Sequence, residues 1–161
     1  MDVDQSYPSL GVAFDGTLHL SWVDERNSVG GTNPPNTYEL FYAKSFDQGS
    51  SWVSEKEIDV TTLGYHYYFD LISRIQVSEW GDPYLACLVG KEKVVLTRSC
   101  DGGNVWESPL LIYTVPPSCI VTNQLNFALQ TDGTALVSYV DTREDPGPDP
   151  QSENIWLSVV D

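Results

Sequence analysis

Positive charge is scarce in this 161-residue chain. Eight Lys and Arg face 23 Asp and Glu, a formal net charge of −15. Such a field repels phosphate backbones and anionic bilayers, which excludes nucleic acid and charged membrane surfaces as natural partners. No apolar run approaches the roughly 18 residues of a membrane span, so no membrane insertion is expected. Histidine is limited to His19 and His66, and C-x-x-C, H-E-x-x-H and EF-hand patterns are all absent. Gly-rich phosphate loops and N-x-S/T sequons are absent as well. The three cysteines, Cys87, Cys100 and Cys119, are an odd number and form no disulfide framework. The opening Met1-Asp2-Val3-Asp4 has neither a basic nor an apolar leader region, so no signal peptide is visible. Helical periodicity is nearly missing.

What remains is a β pattern. Short runs rich in Val, Leu, Tyr and Trp alternate with clusters of Gly, Pro, Asp and Asn, which predicts an all-β chain. The runs fall into three units within one domain. The first spans about residues 7–60, with strands expected at 9–14, 17–23, 38–44 and 52–59. The second spans about 69–113, with strands at 71–77, 84–89, 93–98 and 106–113. The third spans about 122–161, with strands at 124–129, 134–140 and 154–160. Gly16–Asp24 and Gly133–Asp141 align residue for residue, 117 positions apart. Along the former, Leu18, Leu20 and Trp22 share one face, as a half-buried strand requires. The run from Tyr84 to Val89 is apolar on both faces, as in a strand covered from both sides.

One octet occurs twice, 54 residues apart. Ser45-Phe46-Asp47-Gln48-Gly49-Ser50-Ser51-Trp52 and Ser99-Cys100-Asp101-Gly102-Gly103-Asn104-Val105-Trp106 both read S-x-D-x-G-x-x-W. Asp47 and Asp101 are short acceptors suited to backbone N–H groups a few residues on, with Ser45 and Ser99 assisting. Gly49 and Gly103 suit a left-handed position. Trp52 and Trp106 then enter the next strand, with rings that can pack between sheets. A period of this length signals stacked or radial units. The pair resembles the Asp-box (BNR repeat) of sialidases and related β-propellers. The resemblance implies three blades, the third incomplete, or about half of a six-bladed ring. It also implies that the octets are scaffolding on the face opposite the substrate. Asp161 is expected where the aspartate of a third octet begins. An open half ring would expose apolar flanks, which further blades of a longer protein or self-association would cover.

The face opposite the octets carries the candidate ligand contacts. Trp22-Val23-Asp24-Glu25-Arg26 and Tyr139-Val140-Asp141-Thr142-Arg143 are one repeated element, aromatic-x-Asp-x-Arg. Arg26 and Arg143 can bind a carboxylate or sugar hydroxyls, or Asp24 and Asp141 can simply pin them at the start of long loops. Tyr65, His66, Tyr67 and Tyr68 can form an aromatic platform for a sugar or pack beneath their own loop. Asp141, Glu144, Asp145 and Asp149 gather oxygens that suit Ca²⁺, although prolines among them also suit a solvated linker. No other metal or cofactor is indicated.

The sialidase resemblance implies three arginines for a substrate carboxylate, a Tyr–Glu nucleophile pair and an acidic proton donor. The nearest match to the first arginine signature is Ser73-Arg74-Ile75-Gln76, which lacks its aromatic residue and its proline. Arg98 directly precedes an octet, hence on the other face, and no Tyr–Glu pair can be assigned. Three readings follow: a module binding glycan or protein, a part of a glycoside hydrolase completed elsewhere, or a structural or oligomerising unit. Family analogy would place it outside the cell or on its surface.

Overall fold

The computed structural model describes residues 4–26, 38–60, 71–116, 119–143 and 153–160, which form eleven strands in three antiparallel sheets. The first sheet runs in sequence order through β1 (Gln5–Val12), β2 (Leu18–Asp24), β3 (Glu39–Ser45) and β4 (Val53–Ile58). The second does the same through β5 (Leu71–Val77), β6 (Pro83–Val89), β7 (Lys93–Arg98) and β8 (Leu110–Thr114). The third contains β9 (Val121–Leu129), β10 (Ala135–Asp141) and β11 (Asn154–Val160). The sheets meet along their first strands, with β5 against β1 on one side and β9 on the other. This is the arrangement of blades in a partial β-propeller.

The middle blade is the core. Every residue of β6 is buried, and its side chains alternate between two clusters. Leu85, Cys87 and Val89 join Val23, Leu40, Tyr42 and Ile75 between blades 1 and 2. Tyr84, Ala86 and Leu88 join Leu125, Phe127, Val137 and Tyr139 between blades 2 and 3. A strand with two apolar faces is therefore covered on both, as its sequence requires.

Blade 1 reverses one expectation. The better-buried face of β2 carries His19, Ser21 and Val23, whereas Leu18, Leu20 and Trp22 are only partly covered. The polar side chains tolerate burial because each finds a partner. His19 Nδ1 lies 2.7 Å from the Tyr42 hydroxyl, and Ser21 Oγ lies 2.9 Å from Ser73 Oγ across the interface between blades. Leu20 and Trp22 face outward with Leu10 and Val12, on the flank away from blade 2. Blade 3 has a similar outer flank, where Ile155 (81% exposed), Leu157 and Val159 alternate along β11.

Strand limits also shift for identifiable reasons. β1 starts at Gln5, four residues before the expected Ser9, because a register irregularity between Ser6 and Ser9 absorbs Tyr7 (φ 51°) and Pro8. β8 starts at Leu110, just past Pro109, and not at Trp106. β9 starts at Val121, three residues early. In the β10–β11 register Val160 pairs with Ala135 as Ser45 pairs with Leu18. Val160 thus takes the first octet place, and Asp161, where the aspartate of a third octet was expected, lies outside the described residues.

Both octets fold into the same turn. Ser45 Oγ donates to Asp47 Oδ1 (2.8 Å) and accepts from the Gly49 N–H (2.8 Å), while the Ser51 N–H donates to Asp47 (2.8 Å). Ser99, Asp101, Gly103 and Val105 repeat these bonds at 2.6–2.8 Å. Gly49 and Gly103 both have left-handed φ, 87° and 91°. The tryptophans diverge. Trp106 packs edge-on to Tyr42 at 5.1 Å between blades, as expected, but Trp52 is 41% exposed on the outer flank of blade 1. No blade lies on that side of it among the described residues. None of the three cysteines is in a disulfide.

Two predictions follow from this interface. A Cβ on Gly103 would sit 2.0 Å from the Tyr42 hydroxyl, whereas one on Gly102, also left-handed, meets nothing within 4 Å. Gly102→Ala should cost about 1 kcal/mol and Gly103→Ala about 3 kcal/mol or more, read by urea unfolding. Burial, reinforced by the Lys44 charge, lowers the His19 pKa from 6.5 to about 4. The unfolded state then binds the extra proton between these values, so stability is complete above pH 6.5 and falls as pH drops towards 4. Melting temperatures across that window should fall in the native chain and fall less in His19→Gln.

Candidate functional site

At the end of the blades opposite the octets, β2 and β10 stop at matching carboxylates. Asp24 and Asp141 are fully buried, and each is the last residue of its strand. The chain then turns, and the arginine two residues on folds back. Arg26 Nε and Nη2 donate to Asp24 at 2.9 and 2.6 Å, and the Arg26 N–H donates to it at 2.8 Å. Arg143 Nε donates to both oxygens of Asp141 at 3.0 and 2.8 Å, and Nη2 approaches at 2.6 Å. Both Arg26 side-chain donors converge on Asp24 Oδ2, whereas Arg143 spans both oxygens of Asp141; such charge-assisted bonds form a strong pair, here shielded from water on the acid side.

Each guanidinium also lies on an aromatic ring that the motif does not contain. Arg26 stacks on Phe41 at 4.2 Å, and Arg143 lies between Trp156 (3.6 Å) and Tyr113 (4.2 Å). Phe41 and Trp156 occupy one register place, since Phe41 pairs with Trp22 and Trp156 with Tyr139. The signal was present in the third strands, where Glu39-Leu40-Phe41 aligns with Asn154-Ile155-Trp156. Tyr113 has no counterpart in that alignment, because it comes from blade 2. Arg143 therefore joins two blades, whereas Arg26 ties β2 to β3 and reaches Glu55 on β4.

The carboxylates respond accordingly. Burial raises the Asp24 pKa, but bonds from Arg26, Trp22 and Gln5 outweigh it and bring the group down to about 2. Asp141 is lowered too, its burial being outweighed by Arg143. Burial, with the Asp141 carboxylate nearby, pushes the Tyr113 phenol up to about 12. Neither acid is placed to act as a proton carrier near neutral pH. Asp47 also falls to about 2 through bonds from Ser51 and Ser45, which suits its part in the turn.

Arg74 stands apart. It lies midway along β5, the innermost strand of the middle blade, and donates to the Ser73 carbonyl at 2.8 Å. No carboxylate pairs with it among the described residues, whereas Arg26, Arg98 and Arg143 each have one. Arg98 lies at the octet end, paired with Glu107.

Tyr65, His66, Tyr67 and Tyr68 fall outside the described residues, as do Glu144, Asp145 and Asp149. Of the expected acidic cluster only Asp141 is described, and Arg143 occupies it. The described residues contain no grouping of three metal-ligating side chains. A groove of about 430 Å³ is lined by Trp22, Trp52, Arg26, Gln5 and Glu55 among others. It opens on the outer flank of blade 1 and not towards the innermost strands.

Comparison with known proteins supports the fold. The chain aligns with an α-L-arabinanase from Penicillium chrysogenum at TM-score 0.65 and 18% identity, over 96% of this chain and 45% of that one. It aligns with a Hadza microbial sialidase at 0.64 and 14%, over 96% and 35%. An α-L-arabinofuranosidase from Fusarium graminearum gives 0.62 and 16%, over 96% and 45%. These are β-propeller glycosidases, and the chain spans about half of their length or less. No protein-family model and no curated protein matches the sequence.

The Asp–Arg pairs make a stability prediction. Arg143→Ala leaves the buried Asp141 carboxylate without its countercharge and should cost about 3 kcal/mol. Arg143→Lys should recover less than half of this, because an ammonium neither forks onto the acid nor stacks between the rings. Chemical denaturation of the two variants measures both.

Proposed function

We propose that this chain is part of a sialidase-like, Asp-box β-propeller that binds carbohydrate at the end opposite the octets. The observation that carries this reading is Arg74, a guanidinium on the innermost strand with no carboxylate partner among the described residues. In a chain of net charge −15, a cation with no carboxylate partner among the described residues, near the convergence of the blades, is a ready contact for a sugar carboxylate or hydroxyls. The likeness to three propeller glycosidases supports the same class of ligand by analogy of fold. The two Asp–Arg pairs would act beneath the binding loops as supports. Tyr65, His66, Tyr67 and Tyr68 would supply the stacking surface. A protein ligand is the second possibility for the same face.

Hydrolysis is the competing reading, favoured by the activities of the structural neighbours. Residues completing a catalytic set would then come from beyond these three blades.

Calorimetric titration with sialyl- and arabino-oligosaccharides tests the proposal. At least one should bind, and Arg74→Ala should weaken it tenfold or more while moving the melting temperature little. Silence across both series would instead favour the structural module. Turnover of a fluorogenic sialoside or arabinoside that Arg74→Ala abolishes would favour the hydrolase.

A further inference from the structure

A pocket of about 180 Å³ opens where blade 1 meets the start of β5, lined by Asp4, Ser6, Tyr7, Glu25, Tyr38 and Leu71. Asp4 to Tyr7 enter β1, Glu25 follows β2, Tyr38 precedes β3 and Leu71 opens β5. All of these strand ends lie opposite the octets, so the pocket is on the candidate ligand face. Its volume is well below the roughly 300–1,000 Å³ of sites for drug-sized ligands, which suits a single small ring.

The strand register sets its chemistry. Gln5 pairs with Asp24, and the Glu25 N–H donates to the Asp4 carbonyl at 3.2 Å, so Asp4 and Glu25 oppose each other one step beyond the ladder. Residues directly opposite in an antiparallel pair share a face with Cβ atoms roughly 5 Å apart, and two like charges there cost stability. A group that donates hydrogen bonds to both carboxylates offsets that cost. Tyr7 falls where the β1–β2 register shifts, has no cross-strand partner, and is 42% exposed. Tyr7 and Tyr38 bring ring faces and phenols to the pocket, and Ser6 brings a hydroxyl. The lining contains no Lys or Arg. Arg26, next in the chain to Glu25, is turned to Asp24 and Phe41 and lines the outer groove of blade 1 instead. Carboxylates and phenols without a cation accept hydroxyls and repel an acid.

We propose that this pocket is a subsite for one uncharged sugar ring, held through its hydroxyls by Asp4 and Glu25 and through its apolar face by Tyr7 and Tyr38. The assignment rests on the carbohydrate reading above and narrows it, because an acidic sugar is turned away here whatever Arg74 accepts. Arg74 follows Leu71 by three residues on β5, about 10 Å along the strand. It also takes the other face, since Leu71 and Ile75 belong to the core with blade 1 and Ile72 to the core with blade 3. A ligand that meets both positions is therefore longer than one ring.

Calorimetry on the whole chain tests the charge rule with a matched pair, galactobiose and digalacturonate, and a second pair, arabinobiose and sialyllactose. At least one neutral sugar should bind, about tenfold or more tighter than either acid. Glu25→Gln should weaken that neutral sugar about fivefold or more and narrow its advantage over the acids, since the change removes a charged acceptor and a repulsion together. If Glu25→Gln does not fold, Asp4→Asn takes its place with the same expectation. An acidic sugar that binds as tightly as the neutral ones, or more tightly, overturns the subsite. So does neutral binding that Arg74→Ala weakens while Glu25→Gln and Asp4→Asn leave it unchanged. The carbohydrate reading survives both of those results. Silence from all four sugars overturns the subsite and that reading together.

Discussion

Everything in this molecule hangs on the double burial of the middle blade. β6 contributes one set of side chains to the core shared with blade 1 and the alternate set to the core shared with blade 3. Neither outer blade closes a core alone, because each leaves one apolar flank uncovered. At about 25 cal/mol per Å² of apolar area removed from water, packing of this kind outweighs any single polar pair in the fold. The polar groups serve instead to set which blade meets which, and in what register. The Ser21–Ser73 contact and the Tyr42–Gly103 fit do this at one junction, and Arg143 between Tyr113 and Trp156 does it at the other.

The octets illustrate how little of that selection is chemistry at a reacting centre. Their aspartates are held deprotonated by neighbouring N–H and hydroxyl groups, and their glycines accept a backbone conformation costly for other residues. The second octet adds a further duty, since its carbonyls take the lysines of blade 1. The Asp–Arg elements are built in the same spirit. They are strong pairs on aromatic supports, and they hold the ends of β2 and β10 where long loops depart.

Much of this was legible in the sequence, in proportion to how local the signal is. The alternation within β6, the limits of β5, β7 and β11, the octet turns and the left-handed glycines all follow from spacing and residue type. What failed was set by neighbours far away in the chain. The burial of His19 and Ser21 was not legible because their partners, Tyr42 and Ser73, lie 23 and 52 residues on. The two octet tryptophans look identical in the motif, yet one has a blade beside it and the other does not. At the candidate site, the Asp–Arg pairing was legible as one of two options. The ring beneath each arginine was readable only by aligning the third strands. Tyr113 was not readable at all, since it belongs to a different unit.

The bonds from Lys44 and Lys56 to octet 2 blur the boundary of a blade. Three of the hydrogen bonds that hold that turn come from the preceding sheet, so the smallest piece able to satisfy its own polar groups is not a sheet but a seam. It runs from the outer strands of one unit to the turn of the next. A cut placed neatly between blades would sever such a seam. One placed through the middle of a sheet would sever a ladder instead. Cooperativity in this architecture therefore passes sideways, from rim to rim, as much as it does along each four-stranded meander.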